Sequence, residues 1–351
     1  MVLPILRTLS DCADYHKTIE PYLPQLYTLP QKLVDNGASI EGLQRIYAET
    51  NPFMFAFSMS VFIGAAALVG SEIMRNYSQI DCLWSIVPNL YIVHFAVWAR
   101  VAGLPHSRLD LMALATTIWS IRLTYNYARK GGYNIGAEDY RWKIIMSKVN
   151  GFVFFIFNVT FISFIQSILL FLFSGSAAYV VLLTTQFEPE ITTADMGYFG
   201  FILALVFSEW VSDGQQWNYQ TAKYQYLETG KVPAGFTKAD LDRGFITSGM
   251  WAYSRHPNFF AEQAIWFVLY QWSCFASSSL YSWAGAGSLA LILLFQGSTS
   301  FTESISSAKY PAYADYQKQV GVFFPTSFSG YKPSGPKVIR TSELAKKAKK
   351  N

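Results

Sequence analysis

Long apolar runs, not strand-like alternation, set the rhythm of this chain. They fall near residues 53-71, 80-99, 110-128, 151-173, 196-211, 258-276 and 281-301. A hydrocarbon core about 30 Å thick is crossed by roughly 20 apolar residues in a helix. Lipid offers the backbone no hydrogen-bond partners, so a run of that length is expected to be helical. The pattern therefore predicts an all-α, polytopic transmembrane helical bundle of about seven spans. A further apolar stretch, 176-186, follows "SGS" and reads as a short eighth helix, an extension of the fourth, or a re-entrant piece. Residues 1-50 carry acids and the helix-breaking Pro4, Pro21, Pro24 and Pro30, and form an N-terminal segment outside the membrane. Residues 51-325 form the transmembrane domain and 326-351 a basic tail.

Composition agrees: 52% of the residues are hydrophobic and only 14% charged. The net charge of +4 says less than where the Lys and Arg fall. With seven crossings, most of them collect on the side holding Arg75, the 129-150 loop, the 212-257 loop and the tail. That side is cytosolic by the positive-inside rule, which leaves the N-terminus outside. An eighth full crossing would put the two basic loops on opposite sides, so 176-186 is not expected to cross alone. The lysine-free "FEPEITTADM" then lies outside. The start lacks a basic region followed by a cleavable apolar core, so the first long run is expected to direct insertion. In the ending "ELAKKAKKN", Lys347 and Lys349 resemble a dilysine retrieval signal, which places the protein in the endoplasmic reticulum membrane; the plain alternative is a solvated terminus. Cys12, Cys82 and Cys274 lack metal or disulfide spacing. No glycine-rich dinucleotide fingerprint follows a strand, and no soluble basic patch suggests nucleic acid.

Polar groups inside apolar runs carry the chemistry, because a charge near the bilayer centre costs about 2.5 to 3.5 kcal/mol on insertion scales. Trp119, Arg122, Asn126 and Arg129 recur at helical spacing on one face, with snorkelling toward the cytosol as the alternative for Arg129. Glu209, Asp213, Gln216 and Gln220 form a second stripe. Asp81 stands with Trp84 and Ser85 at the mouth of the second run, where a helix-start carboxylate is the simpler reading. In "SRHPN", Pro257 suits the first turn of a helix, leaving amide donors beside Arg255 and His256 for an anionic group. Asn258 and Glu262, four apart, share the face one turn further in. A basic anchor with an incidental buried glutamate is the alternative.

"SRHPNFFAEQ", together with Asp81-Cys-Leu-Trp84-Ser85, Trp119-Ser-Ile-Arg122-Leu123, "EDYRW", Asp213-Gly-Gln215-Gln216 and "KYPAYADYQKQVGVFFP", resembles the DUF1295 branch of the steroid 5-alpha-reductase-like membrane superfamily, from about residue 78 to 325. The wider superfamily holds NADPH-dependent sterol and enoyl-lipid reductases and isoprenylcysteine and phospholipid methyltransferases. The resemblance implies a cofactor pocket of Arg243, Trp251, Arg255, His256, Asn258, Glu303 and Tyr316. Arg243 and Lys223 would be within reach of a 2'-phosphate. Catalysis would fall to Glu262 with a tyrosine, taken as Tyr313, and Asp81, Trp84, Arg122, Asp213 and Gln216 would shape the substrate pocket. Ala261 stands where glycine is common, and Phe259 where tyrosine is common and would add a hydroxyl. The expected activity is NADPH-dependent reduction of a C=C bond in a hydrophobic, sterol- or enoyl-lipid-like substrate. The alternatives are an S-adenosylmethionine-dependent membrane methyltransferase and a non-catalytic lipid-binding membrane protein.

Overall fold

The computed structural model describes residues 2-333. Among the described residues there is no strand, only a parallel bridge between Ser254 and Gly321. The helices are α1 (Tyr15–Thr18), α2 (Gln25–Asn36), α3 (Ile40–Glu49), α4 (Pro52–Met74), α5 (Val87–Val101), α6 (Ser107–Arg129), α7 (Tyr140–Met146), α8 (Gly151–Phe157), α9 (Gln166–Thr184), α10 (Thr193–Thr229), α11 (Lys238–Arg243), α12 (Pro257–Ala276), α13 (Gly285–Lys309) and α14 (Tyr313–Gln319). Every apolar run read from the sequence lies largely on a helix. Among the described residues, three helices are long and apolar enough to cross a membrane: Pro52–Met74, Gly151–Thr184 and Thr193–Thr229. The 176-186 stretch extends the fourth run, because α8 passes through a π-helical segment, Asn158–Ile165, directly into α9. The second run starts late: Asp81–Leu83 form a 3-10 turn, and α5 begins at Val87 with a proline in its first turn. At 15 residues, α5 spans only about 22 Å at 1.5 Å per residue. The basic tail, with Lys347 and Lys349, lies outside the described residues.

Contacts divide the chain into two units, residues 1-203 with 265-291 and residues 204-264 with 292-351. The first unit is centred on α9, which packs against α4, α5 and α6. Leu170, Phe171 and Val180 to Leu183 are fully buried, so α9 needs no polar face, as expected of a central helix. Small residues set its approach to α13. A Cβ on Gly287 would lie 2.3 Å from the backbone of Leu172. Asn51 ties the N-terminal segment down. Its Oδ1 accepts from the Phe53 amide at 2.9 Å and caps α4, while its Nδ2 donates to the Val2 carbonyl and the Tyr179 hydroxyl. Asp195 makes a second knot, accepting from Arg108 Nε at 3.0 Å and Trp272 Nε1 at 2.6 Å. Arg108 and Asp195 are each 1% exposed, so each charge is compensated within the fold.

The second unit holds the later part of α10, α11, a 3-10 turn Gly249–Ala252, the start of α12, the end of α13, and α14. One apolar cluster joins Tyr219, Ala222, Leu241, Ile246 and Trp251. Another joins Phe245, Tyr313, Tyr316 and Val320. α10 runs to Thr229, well past the apolar run ending at 211, so Asp213, Gln216 and Gln220 sit on continuous helix.

Candidate functional site

Pro257 opens α12, as its fixed φ and missing N–H favour. The two residues before it are held by backbone pairing with residues 321 and 322. The Arg255 amide donates to the Gly321 carbonyl and the His256 amide to the Val322 carbonyl, both at 3.0 Å. Gly321 is required by close approach, since a Cβ there would lie 2.0 Å from the Phe324 carbonyl oxygen. This pairing explains why "SRHP" and "VGVFFP" occur together in one chain. Sequence spacing alone did not reveal it.

Glu303 is the centre of the cluster and is 8% exposed. Arg255 grips it in a fork, Nε to Oε1 at 2.6 Å and Nη2 to Oε2 at 3.0 Å. His256 Nε2 lies 2.9 Å from Oε1, the Tyr313 hydroxyl donates to the same oxygen at 3.3 Å, and Gln317 Nε2 donates to Oε2 at 2.9 Å. Arg255 Nη1 donates to the carbonyls of Gln317 and Val320. The guanidinium is thus committed to protein acceptors on all three nitrogens. Glu303 lies two residues beyond the apolar run 281-301. Burial pushes its carboxyl up, but the hydrogen bonds from His256, Arg255 and Gln317 outweigh that and hold it well below the usual carboxylate range. Burial, and then the Glu303 charge, push the Tyr313 hydroxyl up, so it keeps its proton. Gln317 was not among the residues read from the sequence. An amide in a short helix carries no signal until its partner is known.

A second chain of contacts supports the first. Tyr316, raised by burial, donates its hydroxyl to the carbonyls of Trp251 and Ser254. Trp251 Nε1 donates to the Ser212 carbonyl of α10 at 3.0 Å. Both aromatic rings are buried, so these two candidates act as struts.

The α10 and α12 polar faces meet where Asn258 Nδ2 donates to Asp213 Oδ1 at 3.1 Å. Gln216, three residues after Asp213, shares its face. Asn258 Oδ1 and Gln216 Oε1 are buried oxygens with no hydrogen-bond partner. Glu262 follows one turn along α12 and is 8% exposed. Arg243 caps this unit differently: its Nη1 donates to Thr247 Oγ1 at 2.6 Å and Asp240 Oδ1 at 3.3 Å. Lys223, 5% exposed, donates to the Gly244 carbonyl at 3.1 Å beside the rings of Tyr219, Tyr224 and Tyr310.

Asp81, Trp84 and Arg122 belong to the first unit. Asp81 Oδ2 accepts from Trp142 Nε1 at 2.8 Å, which explains the pairing of its motif with "EDYRW". Trp84 Nε1 donates to Gln166 Oε1 at 2.8 Å, and Arg122 is buried on α6. The structure thus brings Arg255, His256, Glu303 and Tyr313 into one hydrogen-bonded group, Trp251 and Tyr316 into a second, and Asp213 and Asn258 into a third.

The family model described as "Protein of unknown function (DUF1295)" matches residues 67-320, which include every one of these side chains. The chain belongs to the DUF1295 family. An uncharacterized protein of Schizosaccharomyces pombe is 38% identical over 326 residues, covering 92% of this chain and 93% of that protein. No solved structure matches the chain significantly. This DUF1295 protein therefore has a family and a fold in hand, and its chemistry rests on the residues above.

Proposed function

We propose that this DUF1295 protein is a reductase of the endoplasmic reticulum membrane, with about seven crossings and a cytosolic C-terminus, that uses NADPH to reduce a C=C bond in a hydrophobic substrate. The observation that carries the reading is the pair of orphaned buried acceptors, Asn258 Oδ1 and Gln216 Oε1, on adjoining polar faces. Leaving such an atom unpaired costs about 1 to 3 kcal/mol, so it calls for a donor. The carboxamide of a nicotinamide offers N–H donors of that kind, and the residues fit it. The family resemblance supports the same cofactor.

When bound, NADPH supplies the hydride for the β carbon of an activated double bond. This chain's residues then have three tasks. Asn258 and Gln216 accept from the carboxamide, with Asp213 fixing the Asn258 amide. Tyr313 holds the proton for the developing enolate oxygen, its hydroxyl oriented by Glu303 Oε1. Glu262, one turn along α12 from Asn258, lines the reacting end. In this reading Arg255 and Tyr316 hold the framework, and Arg243 and Lys223 are the cations nearest to a 2'-phosphate.

Melting of the detergent-purified protein tests this, since a ligand that binds only the folded state raises its melting temperature. NADPH is expected to stabilise the wild type and to lose that effect in Asn258→Leu. The ammonium of S-adenosylmethionine is also a donor to these oxygens. Stabilisation by S-adenosylmethionine alone would favour the methyltransferase reading, and response to neither a non-catalytic lipid-binding protein.

A further inference from the structure

The first unit contains a cavity of about 240 Å³ that the site above does not use. Its lining includes Glu72, Arg75, Met146, Gly151, Phe154 and Phe155. Two candidate membrane helices meet there, one ending at Met74 and one starting at Gly151, so the cavity sits at a membrane boundary. Its back is apolar, with the Tyr77 and Phe154 rings edge to face at 4.7 Å. Water filling such a wall would lack polar partners.

The charged residues of the lining are Glu72 and Arg75. Glu72 is already committed, accepting from Asn158 Nδ2 at 2.9 Å and Arg75 Nη1 at 2.8 Å. The Arg75 side chain nevertheless remains 73% exposed, and outside the lining that of Lys143, on α7 and 3.9 Å from Glu138 Oε2, is 69% exposed. Lys148 is exposed as well. A ligand here meets the exposed Arg75 guanidinium at one end and hydrocarbon at the other. Arginine recognises phosphate oxygens directionally, and basic residues at a membrane surface select anionic lipid.

We propose that this recess binds one anionic glycerophospholipid, with its phosphate against Arg75 and one acyl chain among Met146, Phe154 and Phe155. Gly151 leaves the space open: a Cβ there would meet nothing within 4 Å. Gly151→Leu therefore fills the cavity without touching the proposed active residues.

Native mass spectrometry of the full-length protein, titrated with phosphatidylserine or phosphatidylcholine of matched chains, tests the proposal. The wild type is expected to retain one phosphatidylserine in preference to phosphatidylcholine. Arg75→Gln should weaken phosphatidylserine at least tenfold and erase the preference, and Gly151→Leu should weaken both lipids. Should Gly151→Leu fail to fold, a photoreactive phosphatidylserine on the wild type decides instead, with crosslinks within residues 72-77 and 146-155 expected. Equal retention of the two lipids by the wild type, unchanged binding in folded Gly151→Leu, crosslinks confined to other segments, or competition by inorganic phosphate as effective as by lipid would each overturn it.

Discussion

Glu303 concentrates the energetics of the second unit in one side chain. Its carboxylate compensates Arg255, and removing one partner of a buried ion pair costs about 3 to 5 kcal/mol. Glu303→Gln is therefore expected to lower the stability of the detergent-solubilised protein by about 3 kcal/mol, read by chemical or thermal melting. The folded-state value of Glu303 lies below its unfolded value of about 4.3, so its contribution is complete above that range and is lost as pH falls below it. Melting between pH 3 and 7 should show the wild type weakening on acidification, with a shallower fall in Glu303→Gln. At this scale the sequence was informative where a residue was out of place. Arg255, His256, Asn258 and Glu262 stood out as polar groups at the edge of an apolar run. Glu303 and the C-terminal tyrosines came only through resemblance, because their meaning depends on a partner about 50 positions away. Gln317 was invisible for the same reason.

Helices of this kind associate in lipid by close packing rather than by hydrophobic drive, since the surrounding chains are as apolar as leucine. Gly287 on α13 shows the consequence, because its backbone lies directly against that of Leu172 and Phe173. Gly287→Leu must separate the two helices, and is expected to reduce the yield of folded monomer in size-exclusion chromatography far more than Gly297→Leu, where a Cβ meets nothing within 4 Å. Helix positions were readable because apolar runs of about 20 residues have few other solutions. The join of 151-173 with 176-186 was only one of three options, for "SGS" looks like a break in a sequence. In the structure Ser174, Gly175 and Ser176 are buried helix, with the Ser174 hydroxyl donating to the Leu170 carbonyl at 2.6 Å. The π-helical segment left no mark in the apolar pattern. Its one extra residue per turn is signalled only by Asn158, whose amide finds Ser71 and Glu72.

For the whole molecule, the expected topology follows from the uneven distribution of Lys and Arg along the chain. Cysteine-reactive, membrane-impermeant labels on sealed microsomes should reach a cysteine placed at the exposed Ile135 from the cytosolic side and one placed at Glu188 only after the membrane is opened. The reverse pattern would invert the assignment. Division into two units was not legible in the sequence, because its boundaries fall within α10, α12 and α13, where the apolar pattern is continuous.

The backbone pairing of residues 255 and 256 with 321 and 322 has a consequence for biogenesis. Nascent chains fold from the N-terminus as they emerge, at about 5 to 20 residues per second. The helices of the first unit that precede residue 204 can be inserted while the ribosome still holds the remainder. The arginine clamp must wait, since its carbonyl acceptors follow every apolar run. A premature stop that spares every apolar run but removes residues 317 to 322 should leave an inserted protein whose second unit never matures.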